Sequence, residues 1–226
     1  MPFPILYEDD DLIAVNKPAG ILVHRSKASS TRETAMLQLL RDQLGLRVFA
    51  VHRLDRATSG VILFAKNSEE AGRLSRQFQE RSSDKRYEAI VRGWPKAMRI
   101  DYPLVRLDNG QSQEAQSELE ILKTVTLPYP SDRYPESRYA WVSLKPETGR
   151  RHQLRRHMKH IHHPIIGDTA YGHGVHNRIF RDELHCERLL LHSAELSFVD
   201  RQGEQKMIKA PHAEAFQKII KLFETN

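Results

Sequence analysis

Apolar segments of strand length follow one another along this chain with few helices between them, and that order limits its fold more than any other feature. Ile5–Tyr7 and Leu12–Val15 flank the acidic turn Glu8–Asp11 and read as a hairpin. Val61–Ala65 is an unbroken apolar run, the pattern of a strand covered on both faces. Further strands are expected at Tyr87–Arg92, Ser117–Val125, Tyr139–Leu144 and Leu189–Phe198. Strands succeeding strands, without a regular βαβ alternation, predict an α+β fold around a largely antiparallel sheet.

Helices fill the gaps. Ser30-x-x-Glu33 forms a capping box ahead of Met36, Leu39, Leu40 and Leu44, and Gly45 stops that helix. Ser68 can cap a second helix with Ala71, Leu74 and Phe78 on its apolar side. Arg151–Ile161 places Leu154, Met158 and Ile161 toward a core, and Phe216, Ile219, Ile220 and Phe223 mark a last helix. Leu127–Tyr139, rich in Pro and Tyr, reads as a loop long enough to carry function.

With 226 residues the chain can bury a sizeable core as one generous domain or two small ones. No apolar run approaches the length of a membrane span. The start, MPFPILYEDDD, lacks the basic and apolar regions of a secretory signal. The lone Cys186 can form neither an internal disulfide nor a cysteine zinc site. The chain is therefore expected in the cytoplasm.

Charge is more informative. Thirty-five Lys and Arg against 29 Asp and Glu give a net charge of +6. The stretch Arg150–His163 holds five of those basic residues, no acidic one and five histidines. A patch this concentrated points to a polyanion, with a phosphate backbone as the default partner. The histidines could place some side chains on one helix face, but no HExxH or carboxylate cluster accompanies them and Asp168 is the only nearby acid. A metal site is not expected. P-loop, dinucleotide-fold and serine-hydrolase signatures are also missing.

The densest stretch is His52-Arg53-Leu54-Asp55-Arg56-Ala57-Thr58-Ser59-Gly60. Cations on both sides of an aspartate favour the ionised form that a nucleophile or base requires. Thr58 and Ser59 can fix the loop by bonding to nearby backbone, and Gly60 permits a conformation other residues resist.

HRLDRATSG followed by VILFAKN resembles the catalytic motif of the RluA-type pseudouridine synthases. Four further blocks match in that family's order. They are Asn16-Lys17-Pro18-Ala19-Gly20, the strand Lys85–Gly93, Thr148–His157 with His163–Asp168, and Arg188–Ser193. The resemblance implies the pseudouridine synthase fold, with a central RNA-binding cleft, and an isomerase of uridine in RNA that uses no cofactor. By it Asp55 is the essential carboxylate, Tyr87 the tyrosine that stacks on the base, and Arg155 the arginine that pairs with Asp55. Leu191, or Leu189, supplies an apolar wall. Arg53 fills the space left by the flipped nucleotide. Lys17, Arg150, His152 and Gln153 are read as contacts to the RNA backbone.

The chain is expected to be a single catalytic domain over residues 1–226, without the small N-terminal RNA-binding domain of many relatives. The run RYPESRY within Leu127–Tyr139 resembles a segment of the TruC-type tRNA enzymes and brings Arg133 and Arg138 to the RNA. A monomer acting on tRNA, where the T stem meets the acceptor stem, is the expectation. The same chemistry on ribosomal RNA, a non-catalytic RNA-binding protein and a metal-dependent nuclease are the alternatives.

Overall fold

The computed structural model describes residues 2–24, 34–131 and 133–224. The chain runs through β1 (Ile5–Glu8), β2 (Leu12–Lys17), α1 (Met36–Leu44), β3 (Phe49–Ala50), β4 (Ser59–Ala65), α2 (Ser68–Glu80) and β5 (Asp84–Arg92). It continues through β6 (Met98–Asp101), β7 (Leu104–Val105), β8 (Ser112–Gln113), β9 (Gln116–Leu127) and β10 (Ser137–Pro146). The remainder is α3 (Gln153–His160), α4 (Gly174–Asp182), β11 (Leu191–Val199), β12 (Gln205–Lys209) and α5 (Glu214–Lys221). This is the α+β composition expected. No helix among the described residues is long and apolar enough to cross a membrane.

Two compact units share these elements. The first takes the chain up to Lys85 together with Ser193–Pro211; the second takes Arg86–His192 and the chain from His212. In the first, β2 pairs antiparallel with both β1 and β4, and β12 pairs antiparallel with β11. All seven residues of β4 are buried, as its unbroken apolar run requires. Gly60 has φ +113, and a Cβ there would stand 2.2 Å from the Ser193 carbonyl oxygen, so only glycine fits. Leu74 of α2 is fully buried against Leu12, Val61, Leu63 and Phe198, with Ala71 and Phe78 packed beside it.

In the second unit β10 lies between β5 and β9, and β6 pairs with β9; all three pairs are antiparallel. Strands β7 and β8 form a separate two-stranded hairpin. Phe216, Ile219, Ile220 and Phe223 pack with Tyr139, Phe180 and Leu190 in one core, which is the last-helix stripe expected from the periodicity.

Several boundaries differ from expectation. Asn67, not Ser68, caps α2, its side chain accepting the Glu70 N–H. The third helix begins at Gln153 because His152 sits at φ 56, outside helical geometry. The expected loop Leu127–Tyr139 shrinks to residues 128–136, since Ser137–Tyr139 already pair with β9. The capping box at Ser30 and Glu33 lies outside the described residues. Gly45 does end α1, at φ 67, donating to Arg41.

Candidate active site

The Asp55 loop enters β4 from β3 and is held from several sides. Val51 and Leu54 are buried, and Val51 packs in the core of the first unit. The Thr58 N–H donates to the Asp55 carbonyl at 3.1 Å, closing a turn on the aspartate. His52 Nε2 accepts the Leu63 N–H at 3.0 Å. Burial, and then the Lys85 charge, push the His52 pKa down to about 3, so the ring stays a neutral acceptor. Asp55 itself is half-buried and Arg53 exposed.

Lys17 sits in a cage of backbone carbonyls. It is fully buried, and its ammonium donates to the carbonyls of Pro18 (3.0 Å), Arg56 (3.1 Å) and Thr58 (2.7 Å). A cation enclosed in this way ties the Asn16–Gly20 turn to the Asp55 loop. Arg56 strengthens the same joint. Its Nε donates to the Gly20 carbonyl while the Gly20 N–H donates to the Arg56 carbonyl, each at 2.8 Å. Lys17→Met should leave buried carbonyls unsatisfied and lower stability by on the order of 3 kcal/mol. A shift of the urea midpoint checks this; an unchanged midpoint would deny the joint its role.

The second unit carries the other catalytic candidates. Tyr87 stands on β5, half-buried, opposite Leu144 of β10. Its neighbour Glu88 is buried and accepts from Arg86 Nη1 at 2.7 Å and Trp141 Nε1 at 3.0 Å, with His212 Nε2 also 3.0 Å away. Burial alone would raise the Glu88 pKa, but His212 and Arg86 outweigh it and hold it below the usual carboxylate value. This cluster fixes the strand on which Tyr87 sits.

Arg155 of α3 is buried and clamped. Its Nε and Nη2 donate to Asp168 Oδ2 and Oδ1 at 2.7 and 2.8 Å, and its guanidinium lies 5.2 Å over the Tyr171 ring. Asp168 Oδ1 also accepts the N–H groups of Ala170 and Tyr171, both at 2.9 Å. The Asp168 carbonyl in turn accepts from Asn177 Nδ2 and the Gly172 N–H. Asp168 is the residue the sequence reading missed. The signal was available: a lone acid closing HPIIGD beside a run of cations invites the charge-pairing argument already applied to Asp55.

Gln153 is likewise enclosed. It is buried, and its amide is used up inside the fold, accepting from Thr148 Oγ1 and the Arg150 N–H and donating to Gln116 and Ser117. It braces the entry to α3. His152 is half-buried with Nδ1 3.1 Å from the Tyr171 hydroxyl. Arg150 Nε donates to the Glu114 carbonyl. Leu191 opens β11 and is buried, as is Leu189, so burial does not separate them as a wall residue.

Arg133 and Arg138 occupy different settings. Arg133 is exposed, with Nη2 on the Tyr134 hydroxyl and its guanidinium 5.3 Å over that ring. Arg138 is exposed on β10, 4.6 Å over Trp94. Three histidines of the histidine-rich run take structural tasks. His157 is buried between Ser117 Oγ and the Tyr102 carbonyl, His160 stacks on Tyr102, and His163 Nδ1 donates to the Arg92 carbonyl.

An aspartate in a tightly braced loop, a tyrosine on a braced strand and a clamped arginine are the groups the five sequence blocks singled out. The family model for RNA pseudouridylate synthase matches residues 11–160, and the chain belongs to that family of isomerases. Among individual relatives, tRNA pseudouridine synthase C of Vibrio vulnificus is 45% identical over 232 residues, covering 97% of this chain and 95% of that one. The tRNA pseudouridine synthase C of Haemophilus influenzae is 48% identical over 231 residues, covering 97% of each. Human RNA Pseudouridylate Synthase Domain Containing 4 shares the fold, with a TM-score of 0.77 at 23% identity over 98% of this chain and 93% of that one.

Proposed function

We propose that the chain converts a uridine of tRNA to pseudouridine, acting as a monomer in the cytoplasm and as one catalytic domain over its whole length. The observation that carries the substrate is near-full-length identity of 45–48% to proteins named tRNA pseudouridine synthase C. The family match at residues 11–160 runs through parts of both units, which supports reading them as one domain.

The reaction is an isomerisation. The bond from ribose C1′ to uracil N1 breaks, the ring turns, and a bond forms from C1′ to C5. C5 gives up a proton and N1 gains one, so no other reactant is consumed. Asp55 attacks the sugar or stabilises the charge that develops on it. Tyr87 stacks on the released base, and Arg155 supplies a fixed positive charge to the same reaction. Arg53, exposed beside Asp55, fills the gap left by the flipped nucleotide. Leu191 lines the pocket wall. Arg150, His152, Arg133 and Arg138 hold flanking backbone.

The target uridine is assigned to the junction of the T stem and acceptor stem, from the likeness of the RYPESRY run to the TruC type. Purified protein offered tRNA and ribosomal RNA fragments in parallel, followed by pseudouridine-specific labelling and mapping of the product, tests this. Product at that junction supports the reading; product in ribosomal RNA alone refutes it. Replacing Arg133 and Arg138 together with alanine should reduce tRNA modification about tenfold and leave the melting temperature near its starting value, because both side chains are exposed. Unchanged kinetics at limiting tRNA would remove them from the RNA contact.

A further inference from the structure

Between the β7–β8 hairpin and the residues leading into α3 lies a half-open recess of about 220 Å³, wholly within the second unit. Four arginines line it, Arg106, Arg150, Arg151 and Arg156, against one carboxylate, Asp108. Asp108 is already committed, taking Arg106 Nε and Nη2 at 2.9 and 2.6 Å. Arg150 is anchored through Nε to the Glu114 carbonyl. The guanidiniums of Arg151 and Arg156 meet no acceptor among the described residues.

Like charges gathered in a recess repel one another, and a polyanion that displaces their counterions relieves the cost. The rest of the lining narrows the occupant further. Val105 and Leu107 are 49% and 56% exposed at the rim, apolar surface suited to a ribose or base face. The volume falls below the ~300–1,000 Å³ usual for small-ligand pockets, and the recess is open, so it fits a strand passing across it better than an enclosed metabolite. The hairpin is a preformed wall: the Arg106 N–H donates to the Gln111 carbonyl at 2.8 Å, and Gly110 turns the tip at φ +74.

We infer that this recess holds the sugar–phosphate backbone of the RNA substrate, with Arg151 and Arg156 as its phosphate contacts and Leu107 against a ribose or base. The inference rests on the reading of the chain as an enzyme of tRNA. It adds a docking surface, built by the β7–β8 hairpin, to the contacts already assigned.

The test compares the full-length protein with the double variants Arg151→Glu/Arg156→Glu and Arg151→Gln/Arg156→Gln. Binding to a tRNA transcript is measured by filter retention at 50 and 200 mM salt, alongside pseudouridine formation at limiting tRNA. Two lost phosphate contacts should make the wild-type affinity fall about tenfold more than that of the Gln variant across this salt range. The Glu variant should bind still more weakly and turn over at least tenfold more slowly at limiting tRNA. Variants that keep wild-type affinity and salt dependence within twofold would overturn the assignment. Wild-type protein that binds tRNA with steep salt dependence, lost in the variants, yet forms no pseudouridine in it would sink the substrate reading and support the recess.

Discussion

Asp55→Asn should abolish pseudouridine formation, with activity at least a thousandfold below wild type, while the fold and most of the RNA affinity persist. Asp55 is the only carboxylate in the HRLDRATSG loop, so no neighbour can replace it. The loop is held by its own carbonyls and by Lys17, Arg56 and Thr58, contacts that an amide at position 55 leaves in place. The loss should therefore fall on chemistry and not on stability. Single-turnover product formation at saturating tRNA, with melting temperature as the control, measures it. Residual activity within tenfold of wild type would end the assignment of Asp55 as the essential carboxylate.

The second large effect belongs to Asp168. Asp168→Ala removes the carboxylate that accepts from Nε and Nη2 of the buried Arg155 guanidinium and frees two backbone N–H donors, and removing one partner of such a pair costs about 3–5 kcal/mol. Against a total stability of roughly 5–15 kcal/mol, that is a large share. Burial alone would raise the Asp168 pKa; the bonds from Arg155 and from the Tyr171 and Ala170 N–H groups overcome this and hold it below 3.8. A carboxylate with a depressed folded pKa contributes stability that is complete above its unfolded pKa and lost as pH falls through the folded one. The gap between wild type and Asp168→Asn should accordingly be constant near neutrality and shrink below about pH 4. Urea denaturation at neutral and acid pH measures both. A gap that widens on acidification would mean the aspartate is not held ionised.

Much of this could be read from the sequence, where local pattern decides structure. The β1–β2 hairpin, the buried β4 strand, the α2 and α5 stripes and the Gly45 stop all follow from spacing and turn chemistry. Other features depend on distant partners and were hidden. Lys17 looks like a surface cation because its acceptors are carbonyls of a loop far along the chain. Gln153 looks like a polar helix residue beside a basic run, and only the fold encloses it. Helix α4 escaped notice because His176 occupies its buried face beside Ile179 and Phe180, breaking the apolar stripe. Asn67 and Ser68 are both good caps, and nothing local chooses between them.

The joint between Lys17 and the Asp55 loop has a consequence for transplanting parts among relatives. Two motifs far apart in the chain behave as one mechanical piece, because the ammonium of one closes the carbonyls of the other. A chimera that imports HRLDRATSG from another synthase inherits its stiffness only if the Asn16–Gly20 turn comes with it or already matches. Directed evolution confined to the loop would explore a surface whose rigidity is set elsewhere, and productive changes there would tend to arrive paired with changes in that turn.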